Sequence, residues 1–293
     1  MNSFKSGFVA LIGRPNVGKS SLINTLVGQK IMITSEKPQT TRNQLRGILT
    51  KPEYQLVWID TPGLHRPLHE LGNRMVKSAQ RALFSVDLAL WILDASMGLT
   101  ASDQKVMATL KGAEIPILVV WNKMDIVAEA KELPEIPGFE QVFEVSALTG
   151  AGLDSLLETV VAIVPEGPAF YPPEMVTDHP ERFIAAEFVR EQVLHHTSEE
   201  IPHAIAVQVE EFKERENGRV YIAAVIHVER DSQKGIVIGA NGSKLKAIGQ
   251  AARQDLEAML GLPVYLDLWV KVRKNWRNNQ NALKEFGYQI EVE

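Results

Sequence analysis

One loop near the N-terminus limits the possible folds more than any other feature of the sequence. It reads Gly13-Arg14-Pro15-Asn16-Val17-Gly18-Lys19-Ser20, with an apolar run at 8–12 before it and a helical pattern from Ser21 after it. The backbone amides of a glycine-rich loop at a helix N-terminus surround phosphate oxygens. In this pattern Lys19 reaches the β- and γ-phosphates, and the Ser20 hydroxyl binds Mg²⁺. The sequence therefore predicts a nucleotide phosphate site formed by residues 13–21.

The loop belongs to a region in which short apolar runs alternate with helical segments. The runs lie at 8–12, 54–59, 88–93, 117–121 and 142–145. Several are apolar throughout, as in parallel strands that helices cover on both faces. The alternation predicts a doubly wound α/β sheet.

Prolines separate this region from the rest of the chain. They lie at 165, 168, 172, 173 and 180, a density that neither a helix nor a central strand tolerates. A length of 293 residues also favours two domains. We therefore predict domains at 1–172 and 173–293, with the linker starting at about residue 165.

Composition excludes several classes of protein. The chain has no cysteine, which excludes disulfides and thiolate metal sites and favours a reducing, cytoplasmic setting. Its apolar runs fall far short of the roughly 18 residues that span a bilayer, and we expect no signal peptide. The net charge of −5 gives no bulk attraction to nucleic acid.

A second phosphate-site motif follows the run at 54–59. It reads Asp60-Thr61-Pro62-Gly63. A carboxylate at the end of a strand is placed to hold Mg²⁺ through water, and the Gly63 amide can donate to the γ-phosphate. We predict that this segment senses hydrolysis.

Two further motifs select the base. Asn122-Lys123-Met124-Asp125 follows the run at 117–121, and Ser146-Ala147-Leu148 follows the run at 142–145. The Asp125 carboxylate can accept from guanine N1–H and the exocyclic amino group, a pair of donors that adenine lacks. Lys123 can lie over the base, Asn122 can tie this loop to the phosphate loop, and amides of 146–148 can donate to guanine O6. The predicted guanine site is Asn122, Lys123, Asp125, Ser146, Ala147 and Leu148.

The second region has a different pattern. Helical spacing at 181–198 is followed by two alternating segments, 204–212 and 219–229, with a turn at Asn217-Gly218. A short helical piece at 234–238, a helix at 243–260 and a third strand at 264–272 complete the order α-β-β-α-α-β.

A glycine loop lies between the two later helices of this region. Gly239-Ala240-Asn241-Gly242 precedes Ser243-Lys244-Leu245-Lys246, and the stretch 230–253 has five basic residues and one acidic residue. A loop without side-chain bulk lets a phosphate backbone approach closely. Residues 239–244 and Lys246 are the predicted RNA-binding set, with Ile238, Leu245 and Ile248 as an apolar floor for bases. The basic cluster 271–277 adds a second stripe that includes Trp276.

The ordered motifs are similar to those of translation-factor-like GTPases, and the whole chain resembles the bacterial Era family. In that family a P-loop GTPase domain of doubly wound α/β fold precedes an α+β KH domain of type II. The resemblance covers nearly the whole chain, including the proline-rich joint. It implies Mg-dependent hydrolysis of GTP to GDP and phosphate at a slow intrinsic rate.

The resemblance also implies roles that the patterns alone do not assign. It makes 37–42 the first switch, in which Thr41, or else the adjacent Thr40, meets Mg²⁺ and the γ-phosphate. Leu64 replaces the water-orienting glutamine of many GTPases. Either Asn16 binds a K⁺ ion that stabilises the developing charge, or a partner delivers the catalytic group. The implied catalytic set is Asn16, Lys19, Thr41 and Gly63.

The implied partners are GTP, GDP and the single-stranded 3′ end of small-subunit ribosomal RNA, with a role in maturation of that subunit. A monomer with weak peripheral association at the inner face of the cell membrane is also expected. Two alternatives stay open at this point. One is a P-loop kinase or another ATP-dependent metabolic enzyme, and the other is a membrane-associated signalling GTPase whose second domain binds protein.

Overall fold

The computed structural model describes residues 3–37, 39–63, 69–82, 85–128, 132–216 and 218–288. These residues form two compact units, and each is described by itself. The first unit consists of residues 1–34, 41–67 and 75–178, and the second consists of residues 179–293 together with the short segments 35–40 and 68–74. The sequence placed this division at residue 172.

The first unit is built on a six-stranded sheet. Its strands are β1 (Lys5–Ile12), β2 (Leu45–Lys51), β3 (Tyr54–Asp60), β4 (Leu88–Asp94), β5 (Ile117–Asn122) and β6 (Val142–Glu144). Its helices are α1 (Lys19–Val27), the part of α2 (Glu70–Ala82) from Met75 onward, α3 (Ala101–Leu110) and α4 (Leu153–Ile163). The strand order is β2-β3-β1-β4-β5-β6, with β2 antiparallel to β3 and the other neighbours parallel. Trp58, Trp91 and Trp121 lie at most 1% exposed in its core.

All five predicted strands of this sheet are confirmed, but the sequence missed β2. The sheet is therefore mixed rather than wholly parallel. A glycine in the middle of a segment, such as Gly47 in β2, argues against a strand at the level of sequence. In the structure a Cβ on Gly47 would lie 2.6 Å from Ile23 Cγ2 of α1, so the glycine permits close packing of the helix on this strand.

The proline-rich linker packs against the first unit. Gln55 on β3 is fully buried, and its side-chain Oε1 accepts from the amides of Phe170 (2.7 Å) and Tyr171 (2.9 Å). Its Nε2 donates to the carbonyl oxygen of Tyr171 at 2.8 Å. Between Val164 and Pro180 the chain forms no helix, as the prolines predicted.

The second unit has a three-stranded sheet with helices. Its elements are α5 (Glu181–His196), α6 (Ile201–Ala204), β7 (Ala206–Glu214), β8 (Val220–Val228), α7 (Asp231–Ile238), α8 (Ser243–Leu260), β9 (Val264–Val272) and α9 (Gln280–Glu285). In the sheet, β8 pairs with β7 antiparallel and with β9 parallel. The predicted α-β-β-α-α-β order is confirmed, with α6 and α9 as additions. Gly218 donates to the carbonyl of Arg215 at 2.9 Å in the predicted turn, while Asn217 lies outside the described residues.

None of the helices in the described ranges is long and apolar enough to cross a membrane.

Candidate functional site

The phosphate loop joins β1 to α1 and depends on its glycines. Gly18 has a φ of 96°, and a Cβ there would lie 2.3 Å from the Asn122 side chain. A Cβ on Gly13 would lie 2.5 Å from the carbonyl oxygen of Ile92 on β4. These close approaches let neighbouring strands hold the loop, so that its amides converge at the start of α1.

Lys19 is buried within this loop. Its Nζ donates to the carbonyl oxygens of Gly13 (3.1 Å) and Arg14 (3.0 Å). Burial lowers the pKa of Lys19 to about 8, against the attraction of Asp60 and with the help of repulsion from Arg14. An ammonium buried in this way favours an anionic ligand, because the negative charge compensates for the lost hydration.

Three oxygen-bearing side chains meet beside Lys19. The Ser20 hydroxyl lies 2.5 Å from Asp60 Oδ2 and 3.1 Å from Thr41 Oγ1, and Thr41 Oγ1 donates to Asp60 Oδ2 at 3.0 Å. Asp60 is fully buried, and its Oδ1 accepts no hydrogen bond within the described part of the chain. Burial raises the pKa of Asp60, while Lys19, Ser20 and Thr41 act in the opposite direction. A hydroxyl pair beside an unsatisfied carboxylate oxygen fits Mg²⁺, which prefers oxygen ligands.

The two threonines that the sequence left open have different surroundings. Thr41 lies in the oxygen cluster. Thr40 is 8% exposed, its hydroxyl donates to the carbonyl oxygen of Lys37 at 2.6 Å, and its own carbonyl accepts from Arg190. Only Thr41 therefore has a hydroxyl next to Ser20 and Asp60. Pro38, within the same segment, lies outside the described residues.

The segment after Asp60 packs directly on the phosphate loop. Thr61 Oγ1 donates to the carbonyl oxygen of Leu11 at 2.7 Å, and a Cβ on Gly63 would lie 2.7 Å from the Pro15 nitrogen. Pro62 is buried between them. Glycine at 63 is required for this contact. Leu64 lies outside the described residues.

The residues predicted to recognise the base are connected by hydrogen bonds. Asn122 Nδ2 donates to the carbonyl oxygen of Val17 at 2.9 Å, and its Oδ1 accepts from the Ala147 amide at 2.9 Å. Ser146 Oγ donates to Asp125 Oδ1 at 2.5 Å, which orients an otherwise exposed carboxylate. These hydrogen bonds join the phosphate loop to the two predicted base loops, which are three of the four segments that the sequence assigned to the nucleotide. The Leu148 side chain is 83% exposed, so the backbone is the part of this residue that fits its predicted role at guanine O6.

The glycine loop of the second unit links α7 to α8. Gly239 has a φ of 73°, and a Cβ there would lie 2.7 Å from the Cβ of Lys244. Gly242 has a φ of 76° at the start of α8, and a Cβ on it would meet open space. Ala240 and Asn241 are exposed between them. Gly239 is therefore needed for the loop itself, whereas Gly242 leaves room for a ligand.

A groove of about 520 Å³ lies next to this loop, and the sequence predicted only part of its lining. Its walls are Gly242, Leu245, Lys246, Gly249, Gln250, Arg253, Leu266 and Leu268. The expected floor residue Ile248 is instead fully buried in the core. Spacings of three and four residues from Lys246 along α8, and alternation along β9, are the signals that identify the missing members.

The two basic stretches differ in the structure. Within the described residues, no carboxylate pairs with Lys234, Lys244 or Lys246. The cluster 271–277 is largely neutralised, since Lys271, Arg273 and Arg277 pair with Glu210 (2.9 Å), Glu285 (2.6 Å) and Glu229 (2.5 Å). Trp276 is fully buried, and its Nε1 donates to the carbonyl oxygen of Ala204 at 2.9 Å. Trp276 is therefore not available to stack on a base, whereas RNA binding by the basic residues of this stripe stays a prediction.

Comparisons with known proteins identify a family for each of the two regions. A family model described as a 50S ribosome-binding GTPase matches residues 8–123, and a KH-domain model matches residues 200–277. GTPase Era of Carboxydothermus hydrogenoformans is 48% identical to the chain over 293 residues, and the match covers 98% of each chain.

Two solved structures are similar over nearly their whole length. One is Era in complex with MgGDPNP and nucleotides 1506–1542 of 16S ribosomal RNA, and the other is a variant of Aquifex aeolicus Era bound to GDP and AlF₄⁻. Each is 40% identical, with a TM-score of 0.93, and covers 98% of this chain and 100% of its own.

The sheet with its phosphate and base loops, followed by the glycine loop between two helices, defines a P-loop GTPase joined to a KH domain. At 48% identity over the whole chain, the protein belongs to the Era family of GTPases. The predicted fold class and family are thereby confirmed. The P-loop kinase alternative is wrong.

Proposed function

We propose that the chain is a GTP-hydrolysing switch that binds the 3′ region of small-subunit ribosomal RNA and acts in maturation of that subunit. The observation that carries this proposal is the groove beside the glycine loop, on the same chain as the predicted guanine site. Lys246 lines this groove, and no carboxylate among the described residues pairs with it. A relative with 40% identity has been solved with both a GTP analogue and the 3′ end of 16S ribosomal RNA.

Separate residues of the nucleotide site bind the phosphates, select the base and hold the metal ion. Lys19 and the amides of residues 13–21 bind and orient the phosphates, and the Gly63 amide donates to the γ-phosphate. Asp125 selects guanine. Ser20, Thr41 and Asp60 hold Mg²⁺, which neutralises negative charge on the phosphate oxygens when it is bound. Because Lys19 is buried, its charge acts with little screening by water.

Asn16 is the proposed ligand of an activating K⁺ ion. It is exposed in the phosphate loop and has a φ of 66°. This left-handed backbone is one that asparagine tolerates better than most residues. A cation held beside the phosphates stabilises developing negative charge in the way an arginine finger does.

RNA binding is assigned to the glycine loop and the groove. Residues 239–243 bring backbone close to the RNA phosphates, while Lys244 and Lys246 supply positive charge. Leu245, Leu266 and Leu268 offer an apolar surface for bases. The surface thus combines non-specific attraction with a pocket that reads bases.

The test is titration of a labelled single-stranded RNA, from the 3′ end of small-subunit ribosomal RNA, at several salt concentrations. Ala240→Asp with Asn241→Asp places two carboxylates where the RNA backbone passes, and binding should be lost. Lys105→Glu on the exposed face of α3 makes the same change in net charge and should bind as the parent does. Lys244→Ala should reduce the salt slope by about 0.7.

Two outcomes would contradict the proposal. If the double-aspartate variant is folded and binds RNA as the parent does, the groove is not the RNA site. The signalling alternative, in which this domain binds protein, would then be favoured. If ADP competes with GTP as well as GDP does, the guanine assignment fails instead.

A cytoplasmic monomer with weak peripheral membrane association completes the proposal. Sedimentation velocity measures the oligomeric state. Co-sedimentation with vesicles of anionic phospholipid measures the membrane association, and protein that stays entirely in the supernatant would contradict it.

A further inference from the structure

Asp94 occupies a central place in the nucleotide-binding edge of the sheet. It is the last residue of β4, and β4 lies between β1, which leads into the phosphate loop, and β5, which leads into the base loop. Parallel strands end at the same edge, so a side chain at the end of β4 lies between these two loops. Asp94 is also the register partner of Asn122 on β5.

Both oxygens of this buried carboxylate have partners. Oδ2 accepts from Lys123 Nζ at 2.7 Å and lies 3.7 Å from Arg14 Nη2. Oδ1 accepts from the Ser96 amide at 3.0 Å and from its hydroxyl at 2.5 Å. Burial opposes ionisation, but the hydrogen bonds from Lys123 and Ser96 leave the pKa of Asp94 below its ordinary value. Asp94 therefore lies at the centre of a charged cluster with Lys123 of the base loop and Arg14 of the phosphate loop, which we call the hub.

The hub extends to helix α3 through Arg14. The Arg14 Nε lies 3.4 Å from Oδ2 of Asp103, which is fully buried. Asp103 caps α3, because its Oδ2 accepts from the amide of Thr100 at 3.0 Å. Arg14 on the phosphate-loop side of the hub is thus also paired with the capped N-terminus of α3.

The contact with Asp94 determines which part of the Lys123 side chain is available to a base. Lys123 has a φ of 69°, and about a third of its side chain is exposed. Its ammonium is held at the strand end by Asp94, so the hydrocarbon stem is left as the part of the side chain that a base can contact. Without Asp94 the ammonium would be free to turn into solvent.

We propose that Asp94 is a positioning residue for guanine-nucleotide binding, which holds Lys123 in place over the base and joins the base loop to Arg14 of the phosphate loop. The proposal rests on the assignment of the guanine site to Lys123 and Asp125. In this role Asp94 acts on the base, which GDP and GTP share, and not on the γ-phosphate. Loss of Asp94 should therefore weaken the binding of GDP and of GTP to the same extent.

Asp94→Asn tests this role with little disturbance of the fold, because an asparagine Oδ1 still accepts from the Ser96 amide. The dissociation constants for GDP and for a non-hydrolysable GTP analogue should both rise by about tenfold, the usual effect of losing one charge-assisted hydrogen bond. The KM for GTP should rise in proportion, with a smaller change in kcat. Ser96→Ala, which removes a bond on the far oxygen only, should change either constant by less than about threefold.

A double-mutant cycle separates positioning from a general structural effect. Lys123→Met keeps the stem of the side chain but removes the ammonium that Asp94 holds. If Asp94 acts through Lys123, the variant D94N/K123M should bind GDP no more weakly than the weaker of the two single variants.

The proposal would be overturned if the fold-changes in the GDP dissociation constant of the two single variants multiplied in the double variant. It would also be overturned if Asp94→Asn were folded and bound GDP with unchanged affinity. Failure of the parent protein to prefer GDP over ADP would instead overturn the guanine assignment. The two failures are therefore distinguishable.

Discussion

Lys19 makes nucleotide binding sensitive to pH, because its burial outweighs the attraction of the buried Asp60 carboxylate. Lys19 has a pKa of about 8, chiefly because of burial. Bound phosphates would raise this pKa, since an opposite charge favours the ammonium. Above pH 8 the protein without nucleotide has therefore lost a proton that the complex must regain, and affinity must fall as pH rises.

We predict uptake of about one proton when GDP binds near pH 9, and almost none near pH 7. Titration calorimetry in two buffers with different ionisation enthalpies measures this number directly. The apparent association constant should fall by up to about tenfold for each pH unit above 8. Identical binding enthalpies in both buffers near pH 9 would show that Lys19 is already fully protonated in the free protein.

Asn16 gives a prediction about cations. Hydrolysis by the parent protein should be several-fold faster in K⁺ than in Na⁺ at equal ionic strength. Asn16→Gly should abolish this difference while keeping the left-handed backbone, which has a φ of 66°, free of strain. Asn16→Ala is a poorer test, because it adds a strained backbone to the loss of the amide. A parent protein indifferent to the cation would favour a catalytic group from a partner.

At the scale of elements, α5 contains an ion pair whose loss should be costly. Arg190 is fully buried, with Nε at 2.8 Å from Glu187 Oε1 and Nη2 at 2.5 Å from both Glu187 Oε2 and the carbonyl oxygen of Thr40. Removing one member of a buried pair leaves an uncompensated charge. This contact also connects the helix to the segment 35–40, which precedes Thr41.

Arg190→Ala should therefore lower the local stability of α5 by about 3–5 kcal/mol. Hydrogen exchange of the α5 amides gives the local free energy of opening. Lys213→Ala is the matched control, because it breaks the pair with Glu211, in which the side chains are 70% and 41% exposed, and should cost below about 1 kcal/mol. The pair in α5 would be unimportant if the two variants exchanged alike.

Sequence patterns predicted those elements whose function or periodicity is local. The phosphate loop, the base loops and the glycine loop each lie within one short segment, so spacing identified them. Strand β2 was missed because Gly47 interrupts its apolar pattern for a reason that only α1 reveals. Asp94 was missed because one carboxylate after an apolar strand has no motif.

Charge was the least predictable property. Lys271 and Arg277 looked like the lysines around the glycine loop, but they pair with Glu210 and Glu229, which lie 61 and 48 positions away in the sequence. Such pairs depend on tertiary structure and not on spacing. Lys244 and Lys246 follow a loop whose conformation the glycines set, and the described residues give them no carboxylate.

At the scale of the whole molecule, the linker is tied to the first unit through Gln55. We predict that Gln55→Leu increases proteolysis within 165–178 by about tenfold, because the linker groups at Phe170 and Tyr171 lose their hydrogen-bond partners. Mass spectrometry of early fragments locates and quantifies the cuts. Thr50→Ala removes only one hydrogen bond to Gln55 and should change the rate far less. Equal cleavage in Gln55→Leu and the parent would mean that other contacts hold the linker.

The same linker also covers one edge of the sheet. Strand β2 is one of the two edge strands of this sheet. The Ile48 amide on it donates to the carbonyl oxygen of Val176 at 2.8 Å, and Arg46 pairs with Asp178 at 2.6 Å. Unpaired edge strands invite pairing with strands of other molecules, and proline, which has no amide hydrogen, cannot continue a ladder outward. The stretch that separates the domains thus doubles as a shield against self-association. A fragment that ends before the linker should aggregate, whereas a fragment that extends through Asp178 should not.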